Sequence, residues 1–281
     1  MSLKNLLLRR RGLGCIPCIP DDRDHDFDRL GLSAVGLPDS CNNWADMVRG
    51  IRDQGPANSC TGNAMAGMVD AIICRSGYRN VLAPAAVQPI YRLARGGYAS
   101  KVSDRGASVR GVMDTVRHFG WSDEAYAPYS ASASVINRYP SPAAITNGLS
   151  RAGANYAWIQ DDGLARVTPL KAALASQNPV GMRVYVTTPW RGNSGPSTFD
   201  ADVLEQDGLG WHMVWLLDYD EIGCRMINSW GPQWRGGWVR LTWEFLAHPT
   251  CGDFATLYNV AALVDRAAQA ALSLEVSHAR D

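Results

Sequence analysis

The stretch Gln54-Gly55-Pro56-Ala57-Asn58-Ser59-Cys60 runs straight into Thr61-Gly62-Asn63-Ala64-Met65, and its reading decides the fold. After Cys60 the apolar residues Met65, Met68, Val69, Ile72 and Ile73 recur at helical spacing, and Gly77 behind Arg75-Ser76 is a stop signal, which predicts a helix over 60–76. Cys60 therefore stands at a helix N-terminus. Unpaired backbone N–H groups and the positive end of the macrodipole favour a thiolate there, and an imidazolium alongside would draw the thiol further down, toward the range of about 3.5–7.5 of activated cysteines. A cysteine opening an apolar helix is by itself an ordinary small core residue, so its partners decide the reading.

Those partners lie far downstream. His212-Met213-Val214-Trp215-Leu216-Leu217 reads as the start of a buried strand, 212–219, ending in the acidic turn Asp218-Tyr219-Asp220-Glu221. Cys224-Arg225-Met226-Ile227-Asn228 reads as a second strand, 224–229, antiparallel to the first across Glu221-Ile222-Gly223. Such a hairpin places Asn228 beside His212. Its side-chain oxygen can then accept from one imidazole N–H while the other ring nitrogen faces Cys60, which sets the tautomer and orientation of a general base. Trp230, in Asn228-Ser229-Trp230-Gly231, is expected to shield that bond from water.

With these residues in view the chain resembles the papain-like cysteine peptidases, above all the bacterial, archaeal and viral branch whose nucleophile is followed by Thr-x-Asn-Ala, as in Cys60-Thr61-Gly62-Asn63-Ala64. The six positions from Gln54 to Cys60 and the sixteen from His212 to Asn228 agree with that family. So do Leu37-Pro38, Asp104-Arg105-Gly106-Ala107-Ser108-Val109-Arg110, Tyr126-Ala127-Pro128-Tyr129 and Gly236-Gly237-Trp238, and the likeness covers about residues 37–260. The resemblance implies an α+β fold of two lobes, helical and antiparallel β, with the cleft between them. It implies Cys60 as nucleophile, His212 as general base and acid, Asn228 as its orienting amide and Gln54 as side-chain donor of the oxyanion hole. Donors of that kind are each worth roughly 2.7–4 kcal/mol of barrier. Peptide substrate is expected at Asn58, Ser59, Gly106, Ala107, Ser108, Trp211 and Trp230. Ala57 and Asn58 replace a disulfide cysteine and a glycine common in the family, and Trp211 and Met213 flank the histidine with unusual bulk. These departures bear on specificity, not on the chemistry. The same residues also serve a transamidase, in which an amine replaces water, and a papain-shaped binding or inhibitory module is the reading in which the site is silent.

Composition is consistent with a globular hydrolase. The chain has 281 residues, 46% of them apolar, with 27 basic and 27 acidic side chains. Balanced charge gives no global pull toward nucleic acid or an anionic membrane, so neither partner is argued, and a monomer is favoured. The apolar core of Met1-Ser2-Leu3-Lys4-Asn5-Leu6-Leu7-Leu8-Arg9-Arg10-Arg11 is too short for a secretory signal, which points to the cytoplasm or a non-classical export route. Without such a signal the cysteines beyond Cys60, namely Cys15, Cys18, Cys41, Cys74, Cys224 and Cys251, are expected to be mostly reduced. Cys15-x-x-Cys18 has only His25 nearby, short of the four ligands zinc wants, so no metal or other cofactor is expected. His118, His248 and His278 have no visible chemical partner.

Residues 1–36 form a distinct arm, basic, then Cys/Pro-containing, then acidic through Asp21-Asp22-Arg23-Asp24-His25-Asp26-Phe27-Asp28. Two fates are open to it: a short pro-segment blocking the cleft, or an extension packed on the body. The peptidase domain is expected over 37–281, with a helical lobe at about 55–165, a β lobe at about 166–262 and a tail at about 263–281. Further helices are predicted at 84–95, opened by Pro84 though interrupted by Pro89, at 108–119 behind a Ser108 cap, and at 169–176 behind a Thr168 cap. Val180, Met182, Val184 and Val186 alternate as a strand, and 237–243 reads as another. Helices in the first half and strands in the second argue an α+β architecture. Between them, 188–210 reads as a long polar loop whose Asp200, Asp202, Glu205 and Asp207 would favour basic substrates.

Overall fold

The computed structural model of the chain describes residues 11–22, 24–27, 36–193 and 197–278. Among these the strands are β1 (Cys15–Ile16), β2 (Ala107–Ser108), β3 (Asn155–Trp158), β4 (Val180–Thr187), β5 (Thr198–Phe199), β6 (Gly208–Tyr219), β7 (Gly223–Ile227), β8 (Trp238–Thr242) and β9 (Cys251–Tyr258). Strands β3 to β9 form one sheet in the order β3-β9-β4-β6-β7-β8-β5, antiparallel except for the β5–β8 pair. β1 and β2 form a separate parallel pair.

The first predicted helix is present as Cys60–Arg75, starting on the cysteine itself with Ser59 at the N-cap. Almost every residue of it is buried, so it is a central helix and not a surface one. It packs on β6, and Gly67 permits the approach, since a Cβ there would stand 2.8 Å from Trp215 Nε1. The alternation of β6 then divides two cores. Met213, Trp215 and Leu217 pack with the helix, while Val214 and Leu216 pack with Val180, Met182, Val184 and Val186 of β4. This is the α+β, papain-like arrangement that the sequence leads one to expect, with the helix and β6 meeting along the seam.

Several boundaries differ from expectation for identifiable reasons. The second helix is Val87–Ala94. Pro84 lies outside it and gives its carbonyl to the Glu124 N–H at 2.8 Å, while Pro89 falls in the first turn, where a missing N–H costs no intrahelical bond. Ser108 does cap Val109–Phe119, accepting the Gly111 N–H at 3.0 Å. Thr168 caps nothing: the helix Val167–Ala175 continues directly from a 3-10 turn, Gly163–Arg166, that already carries its first amides. β3 and β9 escape a reading by alternation because three of the four β3 residues are buried. The stretch from 263 is no tail but part of a helix, Ala261–His278, whose Leu263, Val264 and Ala268 join the helical core. The expected loop 188–210 is largely folded, with 3-10 turns Thr188–Arg191 and Ala201–Glu205, β5 between them, and β6 already begun at Gly208. All seven cysteines are free thiols.

Candidate active site

Cys60 is the first residue of its helix and is fully buried. The backbone N–H groups of Met213, Gly14, Thr61 and Cys60 itself lie close enough to favour its thiolate, so the strand that carries His212 runs beside it. His212, also fully buried, places Nε2 2.9 Å from Asn228 Oδ1. An amide oxygen only accepts, so the Nε2 atom carries the proton and Nδ1 keeps the lone pair. Among the described residues Nδ1 has no hydrogen-bond partner. Asn228 follows β7 directly. It is held by its own N–H on Gly237 O at 2.9 Å and by the Ser229 N–H on its Oδ1 at 2.7 Å. Trp230 covers the His212 ring at 5.0 Å between centroids and is backed by Trp190 and Trp234, which keeps water from the Asn228 contact.

Gln54 is fully buried and its amide is fixed at both ends. Nε2 donates to Ala57 O at 2.7 Å and to Gly12 O at 2.9 Å, and Oε1 accepts from Ser229 Oγ at 2.7 Å. The loop between Gln54 and Cys60 is braced by Tyr129, whose phenol donates to Gln54 O at 2.8 Å and lies 2.7 Å from Ser59 Oγ. The structure thus brings Gln54, Cys60, His212 and Asn228 to one seam.

Burial governs the charge state there. It pushes the Cys60 thiol up to about 11, and the four N–H groups that favour the thiolate only partly offset this. The same cause lowers His212 to about 4 against the help of Asn228. The thiolate expected from the helix terminus is therefore absent in this state, because desolvation outweighs the dipole and the pair is neutral.

The arm is one of the segments packed against the Gln54–Cys60 loop. Gly12 lays its carbonyl oxygen on Gln54 Nε2, Gly14 turns its N–H to the Cys60 sulfur, and β1 continues along β2 with Ala107 N–H on Gly14 O at 2.9 Å. Farther on, the Cys18 N–H meets Asp253 Oδ2 at 3.1 Å, Arg110 pairs with Asp24 through Nη2–Oδ2 at 2.6 Å, and Trp158 N–H reaches His25 O at 2.8 Å. The described residues of the arm are thus packed on the body, beside the Gln54–Cys60 loop and along β2.

The expected substrate contacts divide into two groups. Ala107 and Ser108 form the strand on which the arm lies, and Asn58 sits beside it, tied to Asp104 by N–H and side-chain bonds of 3.1 and 2.7 Å. Gly106 gives its N–H to the Tyr91 hydroxyl at 3.2 Å. Ser59 and Trp230 are buried and spent on the fold, on Tyr129 and His212 respectively. Trp211 meets Tyr185 edge to face at 4.7 Å between ring centroids, with the Arg183 guanidinium over its ring. The sequence reading assigned nothing to Gly12, Gly14, Tyr129 or Ser229. The alternating glycines of Arg11-Gly12-Leu13-Gly14-Cys15 were a usable signal for a main chain that approaches another closely.

No protein-family model and no curated protein matches the sequence. The fold does match solved structures. Xylellain, a cysteine protease from Xylella fastidiosa, superposes with a TM-score of 0.77 at 22% identity, over 88% of this chain and 96% of that one. A procathepsin L2 from Tenebrio molitor larval midgut gives 0.65 at 17% identity, over 91% and 80%. Recombinant stem bromelain precursor gives 0.59 at 20%, over 86% and 73%. The chain has the fold these cysteine proteases share.

Proposed function

We propose that this protein is a cysteine peptidase held latent by its own N-terminal arm. The observation that carries the reading is a peptide already seated in the cleft, with a carbonyl oxygen on Gln54 Nε2 and an N–H on the Cys60 sulfur. When the arm lifts, water reaches the pair, the thiol proton passes to His212 Nδ1, and the thiolate adds to the carbonyl of an incoming peptide. The Gln54 amide and the Cys60 N–H hold the oxyanion, and His212 protonates the leaving amine. Water, deprotonated by His212, then adds to the thioester, and collapse expels the thiol. An endopeptidase fits best, since the cleft accommodates the continuous strand of the arm.

The test is hydrolysis of a small peptide by the full chain, by a chain lacking residues 1–16, and by Cys60→Ala. This truncation keeps Phe27 in the core. Faster turnover by the truncated chain and none by Cys60→Ala is expected. Equal rates for full and truncated chains dispose of the blocking role, and no thiol-dependent turnover in any form disposes of the peptidase. Product analysis with an added amine separates hydrolysis from transamidation.

A further inference from the structure

The contacts of the arm follow one another along the cleft. Arg11 reaches Asp53, the Gly12 carbonyl oxygen reaches Gln54 Nε2, and Cys15 and Ile16 pair with Ala107 and Ser108 of β2. Asp53 and β2 therefore lie toward opposite ends of that line. The Asp53 end is the one on which the histidine lies: Asp53 forms an antiparallel bridge with Trp230, whose ring covers His212. Two donors fix the Asp53 carboxylate, the Gly55 N–H on Oδ1 at 2.9 Å and Gln233 Nε2 on Oδ2 at 2.9 Å. Gly231 leaves room for that arrangement, since a Cβ there would stand 2.5 Å from Gln233 Nε2 and 2.8 Å from Asp53 Oδ2. The Arg11 guanidinium meets both carboxylate oxygens, with Nη2 3.2 Å from Oδ2, and its side chain is 8% exposed against 41% for that of Asp53. A long cationic side chain is thus covered along its length and ends on a fixed, half-exposed carboxylate. Burial works against ionisation of Asp53, but the bonds from Arg11, Gly55 and Gln233 hold its carboxyl below the ordinary carboxylate range.

We propose that Asp53, fixed by Gln233, is a specificity-determining subsite for an arginine or lysine side chain on the leaving-amine side of the scissile bond, and that Arg11 fills this subsite when the arm is in place. This rests on the peptidase reading and deepens it by naming a substrate class. In that reading His212 protonates the leaving amine, so the fragment that leaves runs past His212 and Trp230 toward Asp53. Once Arg11 departs, the carboxylate keeps its two fixed donors but loses its cation, and a basic side chain of the substrate restores the pair. A neutral side chain of equal length does not, so the preference is electrostatic and not steric. The acids of 188–210 belong to a different segment, which makes the two sources of a basic preference separable by substitution.

The experiment is a competition between peptides in the full chain, each carrying Arg or its neutral isostere citrulline at the first, second or third residue beyond the scissile bond. The readout is the ratio of the two kcat/KM values, because the fraction of chain with the arm in place scales both alike and cancels. The wild-type chain is expected to favour Arg about 10-fold at one of the three positions, the scale of one charge-assisted hydrogen bond. Asp53→Asn is expected to bring that ratio within about 2-fold of unity, and Asp53→Glu, which keeps the charge, to retain about 3-fold or more. Arg11→Gln, which frees the subsite, is expected to raise both kcat/KM values and leave their ratio unchanged. Circular dichroism at the assay temperature checks folding. If Asp53→Asn is unfolded, salt takes its place: the wild-type ratio is expected to fall at least about 2-fold on going to about 1 M salt, where charges are screened beyond about 3 Å. A wild-type ratio of unity at all three positions, a preference that survives Asp53→Asn or is indifferent to salt, or kcat/KM values unmoved by Arg11→Gln overturns the inference while leaving the peptidase intact. Turnover that survives Cys60→Ala, or no turnover at all in the wild-type chain, overturns the peptidase reading and this inference with it.

Discussion

The tip and the stem of the N-terminal arm are held by different forces. The tip, residues 11–16, lies on the site through its main chain: the Gly12 carbonyl, the Gly14 N–H and carbonyl, and the β1–β2 pairing, with a single ion pair from Arg11 to Asp53. A Cβ at position 12 would stand 2.1 Å from Ala57 O, and one at position 14 would stand 2.0 Å from Asn58 O. The stem, residues 18–22 and 24–27, is held mainly by side chains, by Asp24 on Arg110, by Asp253 on the Cys18 N–H, and by Phe27 in the sheet-side core, beside the main-chain bond from the Trp158 N–H to His25 O. Main-chain contacts this close demand glycine and ignore charge, whereas the stem tolerates backbone variety and depends on ionic and apolar partners. On the latent-peptidase proposal, the tip is expected to decide whether the cleft is occupied, and the stem how readily the tip returns.

The predictions follow that division, starting with the thiol that both halves serve to cover. Cys60→Ala is expected to cost at least about 10⁴-fold in turnover, as loss of a nucleophile does elsewhere, with the thermal midpoint unmoved within a few degrees by calorimetry. Loss of activity through unfolding instead would show the thiol to be a core residue. Gly14→Val is expected to raise kcat/KM of the full chain about 10- to 100-fold, since overpacking costs about 1–3 kcal/mol and here the cost falls on the closed state alone. The same substitution at Gly50, where a Cβ would meet nothing within 4 Å, is the control, and equal effects at both positions would erase the distinction.

Acid acts on the tip in the same direction. In the closed chain burial holds His212 at about 4, against an ordinary 6.5 once water reaches it. In a Cys60→Ala chain, where no thiol proton is passed to the ring, the open state takes up a proton first, so closure is fully favoured above pH 6.5 and is lost as the pH falls toward 4. Hydrogen exchange of the tip amides, corrected for intrinsic rates, is expected to speed up about tenfold between pH 7 and pH 5, and a flat profile would show that the tip does not control burial of His212. The smallest effect belongs to the stem. Arg110→Gln removes the pair with Asp24 and is expected to raise turnover of the full chain about 2- to 5-fold, less at high salt. A rise as large as that of Gly14→Val would mean that the stem, not the tip, governs closure.

Much of this was legible from residues alone, and the reasons differ by element. The Cys60 helix and the Val109–Phe119 helix follow from periodicity plus a local terminus signal, both carried within the element and its immediate flanks. The β6–β7 hairpin follows from a short turn between two apolar runs, and with it the approach of Asn228 to His212. β3, β9 and the helix Ala261–His278 were missed, because a segment buried on several faces or docked by a few small residues carries no strong pattern. The false caps at Pro84 and Thr168 show the opposite error: a residue suited to a helix start was used elsewhere by neighbours that the local sequence does not reveal.

The sequence by itself determined the chemistry on offer and the order in which it is strung: a cysteine at a helix start, a glutamine six residues before it, and a histidine and an asparagine sixteen apart on a hairpin. Those are local relations, set by backbone geometry over short distances. Only the tertiary structure decided that the arm lies across the thiol, that burial keeps the Cys60–His212 pair neutral, and that the Ser229 hydroxyl faces the Gln54 amide. Such contacts join residues 42 and 175 positions apart, and solvation depends on everything packed around a group, which no short stretch of chain encodes.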